Sequence, residues 1–351
     1  MRCFAVGHIR LIEGAEGLMG NAKQAPMRRK PWPPDAVLDK PTPLQDARLF
    51  RNSVISPLRY PGAKRQLVPV IESLINANVP PPRLLLEPFC GGATTTLRLL
   101  GSGAVEHGIL ADVDPLIAAF WRTAAFDSKW LIDAMHEETI SVARWDWWRA
   151  ANPRGRRERA LKCLFLNRTT FSGILHGRAG PIGGRAQKSD YKIDCRFGLE
   201  GLTRRIKGVA DLASTGRLLD VWEADWRTAL GNLSSKFKML DPGEIVVYLD
   251  PPYVDKAQWL YEWSFDSTEH TDLAAWLASD TRYAWLLSYD DNQSIRGLYK
   301  NRPAESVLHV SHTYTAAGSV TRTVRDELLV TNLTVIPPSK RYRLLKTDEA
   351  G

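Results

Sequence analysis

Asp250-Pro251-Pro252-Tyr253 follows directly on the apolar run Ile245–Leu249, and its residue types suit the activation of a reluctant amine. An amine on an aromatic ring, such as that of adenine, attacks poorly because its lone pair is delocalised into the ring. A carboxylate that accepts one N–H, helped by a backbone carbonyl, favours the pyramidal form that can attack. Asp250 is the candidate carboxylate and Pro251 the candidate carbonyl. Two prolines fix φ and remove N–H donors, which holds that carbonyl in one direction. Tyr253 offers a ring on which a base flipped out of a duplex can stack. Asp-Pro is also a common turn opener, but two prolines and a tyrosine at a strand end exceed what a turn requires. In an open α/β sheet this position, past the carboxyl end of a strand, is where ligands bind.

Glu87-Pro88-Phe89-Cys90-Gly91-Gly92-Ala93 forms the second group. Glycines after a strand let the backbone approach a bound cofactor. The acid ahead of them can hold a cationic amino group, such as the amino end of S-adenosylmethionine. This is not the dinucleotide GxGxxG pattern, and Gly101-Ser102-Gly103 follows a helical stretch, which disfavours a nicotinamide cofactor. A plain glycine turn is the alternative. Asp112, closing the run Ile109-Leu110-Ala111 with Asp114 close behind, is placed to accept both hydroxyls of a ribose. A lone Asp at a strand end is more often a cap or a turn residue. Asp225, after the third run, has the same standing and can accept a bond from the cofactor's adenine amine. Ahead of the first run, the ring and the lysine of Arg59-Tyr60-Pro61-Gly62-Ala63-Lys64 fit a cofactor pocket as well as they fit a surface turn.

The elements that must carry these residues are legible as a rhythm. Val68–Ile75 has helical spacing, Pro80-Pro81-Pro82 breaks the chain, and the run Arg83–Leu86 ends at Glu87. A helix begins near Thr94. Ile109–Ala111, Leu218–Trp222, Ile245–Leu249 and Tyr283–Leu287 repeat the plan. Continuous apolar runs separated by helical stretches indicate strands buried on both faces of a parallel sheet. Ser306–His312 and Glu327–Thr331, joined through Gly318, read as an antiparallel pair at the end of that sheet.

Between Thr139 and Asp211 the rhythm disappears. Basic residues there outnumber acidic ones nearly threefold, with Trp145, Trp147, Trp148 and Phe171 interleaved. A DNA-contacting insertion and a solvated helical surface with inward tryptophans are both compatible with this pattern; the catalytic motif favours the first. The net charge of +8 over 351 residues suits an anionic partner. Cys3, Cys90, Cys163 and Cys195 lie far apart, which argues against a zinc site or a disulfide framework and fits a reducing cytoplasm. The N-terminus carries charges where a secretion signal needs an apolar core, and no stretch is long enough to span a bilayer. The proline-rich first fifty residues read as a disordered extension, in which Met19 and Met27 are alternative starts.

Taken together, these residues resemble the Dam-type family of DNA adenine-N6 methyltransferases, from about Ser56 to Leu333. Tyr60–Lys64 is similar to its leading motif, Glu87–Ala93 to its cofactor loop, and Ala111–Asp114 to its ribose-binding segment. Leu166–Gly173 resembles the start of its target-recognition insertion and Asp250–Tyr253 its catalytic motif. Leu287–Asn292, Tyr314–Ala316 and Glu327–Leu329 are similar to its later segments. Ala93 stands where many members have glycine, Asp114 where asparagine is common, and Gly198 where asparagine is frequent. No Pro-Cys dipeptide occurs, so the nucleophile of cytosine-C5 methylation lacks its usual setting.

The resemblance implies an α/β fold, a Rossmann-like class I methyltransferase sheet, parallel with an antiparallel terminal hairpin, plus a mostly helical inserted domain. The expected division is 1–52 as the extension, 53–138 and 212–340 as the catalytic domain, 139–211 as the target-recognition insertion and 341–351 as a flexible tail. It implies methyl transfer from S-adenosyl-L-methionine to adenine N6 in double-stranded DNA, in a restriction-modification or similar setting. Asp250, Pro251, Pro252 and Tyr253 are then the catalytic residues. Tyr60, Lys64, Glu87, Phe89, Gly91, Gly92, Asp112, Asp225 and Asp250 bind the cofactor. Arg154, Arg156, Arg157, Asn167, Arg168 and Arg178 bind DNA. No metal, no membrane contact and a monomer are expected, in a cytoplasm of prokaryotic or phage origin. RNA adenine-N6 methylation, DNA cytosine-N4 methylation and a catalytically silent DNA-binding protein are the alternatives.

Overall fold

The computed structural model describes residues 38, 55–60, 64–78, 82–253, 265–279, 282–303, 306–314 and 323–344. The Pro61–Ala63 part of the leading motif, the connection through Gly318 and nearly all of the N-terminal extension lie outside them. After α1 (Val68–Ala77), strand and helix alternate: β1 (Leu84–Glu87), α2 (Thr94–Ser102), β2 (His107–Asp112) and α3 (Pro115–Phe126). A helical stretch follows, α4 (Ser128–Glu137), α5 (Val142–Ala150), α6 (Arg156–Thr169) and α7 (Leu199–Ser214). Alternation then resumes with β3 (Leu218–Glu223), α8 (Trp226–Lys236), β4 (Ile245–Leu249), α9 (Ser267–Ser279), β5 (Ala284–Asp290) and α10 (Gln293–Tyr299). The chain closes on β6 (Val307–Tyr314), β7 (Thr323–Thr331) and the short β8 (Arg343–Leu344).

The sheet order is β3-β2-β1-β4-β5-β7-β6-β8, parallel through β5 and antiparallel beyond it. β1, β2 and β4 are buried at every residue, as continuous apolar runs require when helices cover both faces. The order reverses between β1 and β4, so a crevice opens past the carboxyl ends of those two strands. The expected hairpin is present, with β7 inserted next to β5 and β8 added beyond β6 at Arg343–Leu344, inside the expected tail.

The helical stretch shares the core of the sheet. α6 and α7 pack on α3, which covers β2 and β3, and Trp145, Trp148, Phe165, Ile206 and Val209 join one apolar cluster with Leu85, Leu110 and Val246. α7 buries Leu202, Ile206, Val209 and Leu212 along one face and leads straight into β3, so the expected boundary at residue 211 falls inside a helix. Of the two readings of the tryptophans, Trp145 and Trp148 follow the inward one, while Trp147 is 52% exposed. Leu38, the one described residue of the extension, is buried, and its carbonyl accepts a hydrogen bond from the Arg83 guanidinium at 2.7 Å.

Candidate active site

Three carboxylates end neighbouring strands at the reversal: Glu87 closes β1, Asp112 closes β2 and Asp250 follows β4. Each is held. Glu87 accepts from the Thr96 backbone N–H at 3.2 Å and from the Thr96 hydroxyl. Asp112 accepts from Gly91 N–H at 2.8 Å and from Asp114 N–H at 3.0 Å. Burial pushes the Glu87 carboxyl up to about 8, against the Thr96 bonds. Burial and then Asp114 push Asp112 up to about 7.

Asp250 has a directional surround. Lys64 Nζ lies 3.1 Å from Oδ1, and Ser288 Oγ donates to the same oxygen at 3.0 Å. Because Ser288 spends its only proton there, the Tyr248 hydroxyl, 2.9 Å away, is the donor to Ser288. Among the described residues nothing donates to Oδ2, which is the acceptor left for an incoming N–H. Burial raises Asp250 above the usual carboxylate range, and Lys64 and Ser288 oppose the rise. Lys64 is itself buried, yet Asp250, Glu327 (3.4 Å) and Tyr253 outweigh the cost of burial and keep it charged. Its ammonium donates to the Tyr253 hydroxyl and sits 4.3 Å from the centre of that ring.

The glycine loop is shaped by Tyr60. A Cβ on Gly91, whose φ is +40°, would lie 2.5 Å from Tyr60 Cε1, and one on Gly92 would lie 2.8 Å from Tyr60 Cβ. Only glycine admits the ring there. Ala93 adopts φ +47°, the left-handed region that a glycine takes more easily, and it caps α2. Trp121 donates to the Gly91 carbonyl at 2.7 Å and fixes the loop from α3. Phe89 packs edge-on against Phe265 at 5.4 Å beside this loop. Pro251 is buried; Pro252 and Tyr253 are half-buried.

Other expected site residues are placed differently. Asp225 is exposed and caps α8, accepting from Arg227 N–H at 2.9 Å and Thr228 N–H at 3.0 Å, which is the helix-cap alternative. Arg154 and Arg178 are exposed, whereas Arg156 and Arg157 both pair with Asp127, at 3.2 and 2.8 Å. Asn167 and Arg168 must be corrected: they are 0% and 5% exposed and offer no surface to a DNA phosphate. Asn167 instead clamps the leading segment. Its Oδ1 accepts from Arg59 N–H at 2.7 Å, and its Nδ2 donates to the carbonyls of Arg59 (2.7 Å) and Gly173 (3.0 Å). Arg168 donates from Nε to the Pro57 carbonyl at 2.8 Å. Asn167→Ala is expected to cost about 2–4 kcal/mol of stability, because it strands backbone groups at a buried clamp. Urea unfolding measures this, and a loss below ~1 kcal/mol would mean that these bonds do not hold the segment in place.

Ser288 and Glu327 are contributors to which the sequence assigns no role. Their segments are similar to late family motifs, but nothing local says that Glu327 meets a lysine 263 positions earlier. His176 is another: its Nε2 lies 2.8 Å from Asp114, tying the segment after α6 to the cap of α3. Among the described residues no helix is long and apolar enough to cross a membrane, and no cluster of His, Cys, Asp and Glu is arranged to hold a metal ion.

Comparison with known families gives a match over residues 60–178 and 224–316, more than half of the chain, to the model described as D12 class N6 adenine-specific DNA methyltransferase. The matched stretches contain Tyr60–Lys64, the glycine loop, Asp112, Asn167 and Asp250–Tyr253, and they leave out 179–223. A search of curated proteins finds no match.

Proposed function

The chain belongs to the D12 class N6 adenine-specific DNA methyltransferase family, and we propose that it takes its methyl group from S-adenosyl-L-methionine and acts on an adenine drawn out of duplex DNA. It is an adenine-specific DNA methyltransferase; the donor, the flipped base and the residue roles are the finer reading. One observation carries it: Glu87, Asp112 and Asp250 stand at three neighbouring strand ends at the sheet reversal, the first two buried, and Asp250, paired with the buried Lys64, keeps one oxygen without a donor among the described residues. Such a donor set fits a ligand that is itself cationic, as a sulfonium with an ammonium group is. The glycine loop against Tyr60, with Glu87 and Asp112 at its two sides, would hold that ligand, and Phe89 would wall it. Asp225 remains a candidate for its adenine amine, at the carboxyl end of β3.

When bound, the sulfonium supplies an electrophilic methyl group. The chain's own residues do the remainder. Asp250 Oδ2 accepts one N–H of the adenine amine, and Ser288 and Lys64 hold Oδ1 so that the carboxylate cannot rotate away. The Pro251 carbonyl is proposed as the second acceptor, and Tyr253, braced by Lys64, bears on the base. Alignment of amine and methyl is then the main catalytic contribution. The stretch 139–211 carries target recognition, with exposed Phe171 and Arg178 facing outward and Arg154 beyond α5.

The raised carboxyls of Glu87 and Asp112 make ligand binding proton-linked. Between their ordinary range and about 7–8 the folded chain holds these groups protonated while the unfolded chain does not. The ligand-free protein therefore loses stability as pH rises through that window. A cationic ligand favours the ionised forms, so its affinity is expected to rise from about pH 6 to about pH 7.5, with protons released on binding. Calorimetry in buffers of different ionisation enthalpy measures the release; no released proton would take Glu87 and Asp112 out of the binding site.

The activity is tested by single-molecule sequencing of plasmid DNA from a methylation-deficient host that expresses the chain. N6-methyladenine confined to one short motif is the expected result. Methylation of RNA alone, or of cytosine N4, would overturn the substrate assignment.

A further inference from the structure

We propose that the phosphates of the duplex run over a cationic surface made by Arg59, Arg65, Arg196, Arg204 and Arg205, braced from inside by Arg168. This rests on the adenine-methyltransferase reading and says which face of the protein receives the DNA.

The surface is assembled by the clamp on residues 56–59. Arg168, at the end of α6, grips the Pro57 carbonyl, and Arg205, on α7, donates to the Ser56 carbonyl at 3.3 Å. Two helices more than a hundred positions further along the chain thus bring their guanidinium groups to one short segment, and Asn167 fixes Arg59 beside them. Arg65, Arg196 and Arg204 are exposed, and Arg59 and Arg205 are half-buried.

These arginines lie close enough to repel one another, and among the described residues no carboxylate pairs with them, unlike many of the other arginines. Arg122, Arg144, Arg156, Arg157, Arg185 and Arg227 all pair with carboxylates. Among the described residues none of the six arginines at the clamp does. Their charges act on each other instead: burial, then Arg205, Arg59 and Arg196, lower Arg168 to about 9. Burial and then Arg196 lower Arg59; burial, then Arg65 and Arg204, lower Arg205. A fold that gathers like charges without neutralising them is destabilised by their repulsion, and a polyanion laid across them relieves it.

The position suits the chemistry. Arg59 precedes Tyr60 and Arg65 follows Lys64, so the surface adjoins two residues of the candidate active site. Gly173, with φ +78°, packs so closely that a Cβ would press on the Arg59 carbonyl, and Phe171, 67% exposed, stands two residues before it. An exposed aromatic ring beside uncompensated guanidinium groups is the composition of a nucleic-acid face. Arg156 and Arg157, which look equally basic in sequence, share the Asp127 carboxylate, which offsets one of their two charges.

The test is equilibrium binding of a labelled DNA duplex across a salt series. The variants are Arg65→Gln/Arg196→Gln/Arg204→Gln and, for contrast, Arg156→Gln/Arg157→Gln. Each lost phosphate contact lowers the slope of log Kobs against log salt by about 0.9. The triple variant is expected to lose about 2–3 units of slope and at least ~10-fold in affinity for duplexes of any sequence. Its binding of S-adenosyl-L-methionine and its turnover at saturating DNA should be unchanged, while the contrast variant keeps the wild-type slope. If the triple variant does not fold, single variants each losing about one unit of slope support the surface equally well. An unchanged slope in the triple variant, or a loss confined to the contrast variant, overturns the proposal while wild-type methylation still upholds the activity. A wild-type chain that binds S-adenosyl-L-methionine but neither binds nor methylates duplex DNA overturns both.

Discussion

Asp250→Ala is expected to lower methyl transfer by ~10³-fold or more while leaving S-adenosyl-L-methionine binding nearly intact. The reason is the division of labour between its two oxygens. Oδ1 is occupied by Lys64 and Ser288, so Oδ2 alone can take the N–H of the adenine amine. Without it, the lone pair stays in the ring and an aligned methyl group meets a poor nucleophile. Lys64 retains Glu327 as a partner in this variant, so the fold should persist. Asp250→Asn refines the test. An amide oxygen still accepts a hydrogen bond but carries no charge, so a smaller loss, ~10–10²-fold, is expected. Single-turnover methylation of a duplex, beside equilibrium titration of the cofactor, measures both. Wild-type turnover in Asp250→Ala would falsify the assigned role.

The second large effect belongs to Lys64. Among the described residues it is the cation that lies between Asp250 and Glu327, and both carboxyls are raised by burial and drawn back by its charge. Lys64→Met should cost about 3–5 kcal/mol, because the buried Glu327 and the half-buried Asp250 lose their shared partner. The pH dependence has a definite sign. The ionised Asp250 is the stronger acceptor for the N–H, so kcat/KM falls as pH drops through its pKa. Removing Lys64 raises that pKa, and the acidic limb should move upward by about 1–2 pH units. Lys64→Met/Glu327→Gln removes one of the stranded acids and should recover much of the stability without recovering wild-type activity. An acidic limb that stays in place in both variants would separate Lys64 from the ionisation of Asp250.

The strand-end residues were legible because their placement follows from local rules. A run buried on both faces must be apolar throughout, so Leu84–Leu86, Ile109–Ala111 and Ile245–Leu249 stand out, and so does the acid that ends each run. The glycine loop is legible as a local pattern, since Gly91 has a positive φ, although the ring that lies where its Cβ would be belongs to Tyr60, 31 positions earlier. Asp225 shows the limit of such reading. An acid at a strand end and an acid at a helix start share one sequence signature, and here the cap is what the structure displays.

Charge partners were not legible, because they depend on which elements the fold brings together. Arg156 and Arg157 lie in the basic stretch that suggested DNA contact, yet α6 packs beside the end of α3 and hands them Asp127. Asn167 and Arg168 read as the opening of a recognition segment, but the same packing buries them against residues 57–59. Glu327 is the plainest case. β7 runs antiparallel to β5, so Glu327 falls opposite Asp290 at the carboxyl end of β5, the edge where Asp250 and Lys64 already stand.

By itself, then, the sequence determined the strand ends, the glycine loop and the Asp250–Tyr253 motif, since each is defined by residues within a few positions of one another, and their order along the chain resembles a family that methylates adenine in DNA. The tertiary structure alone decided which charges are neutralised, which carboxyls are buried and which arginines face outward. Those outcomes depend on distance in space, and the sheet reversal and the helix packing set that distance for residues more than a hundred positions apart.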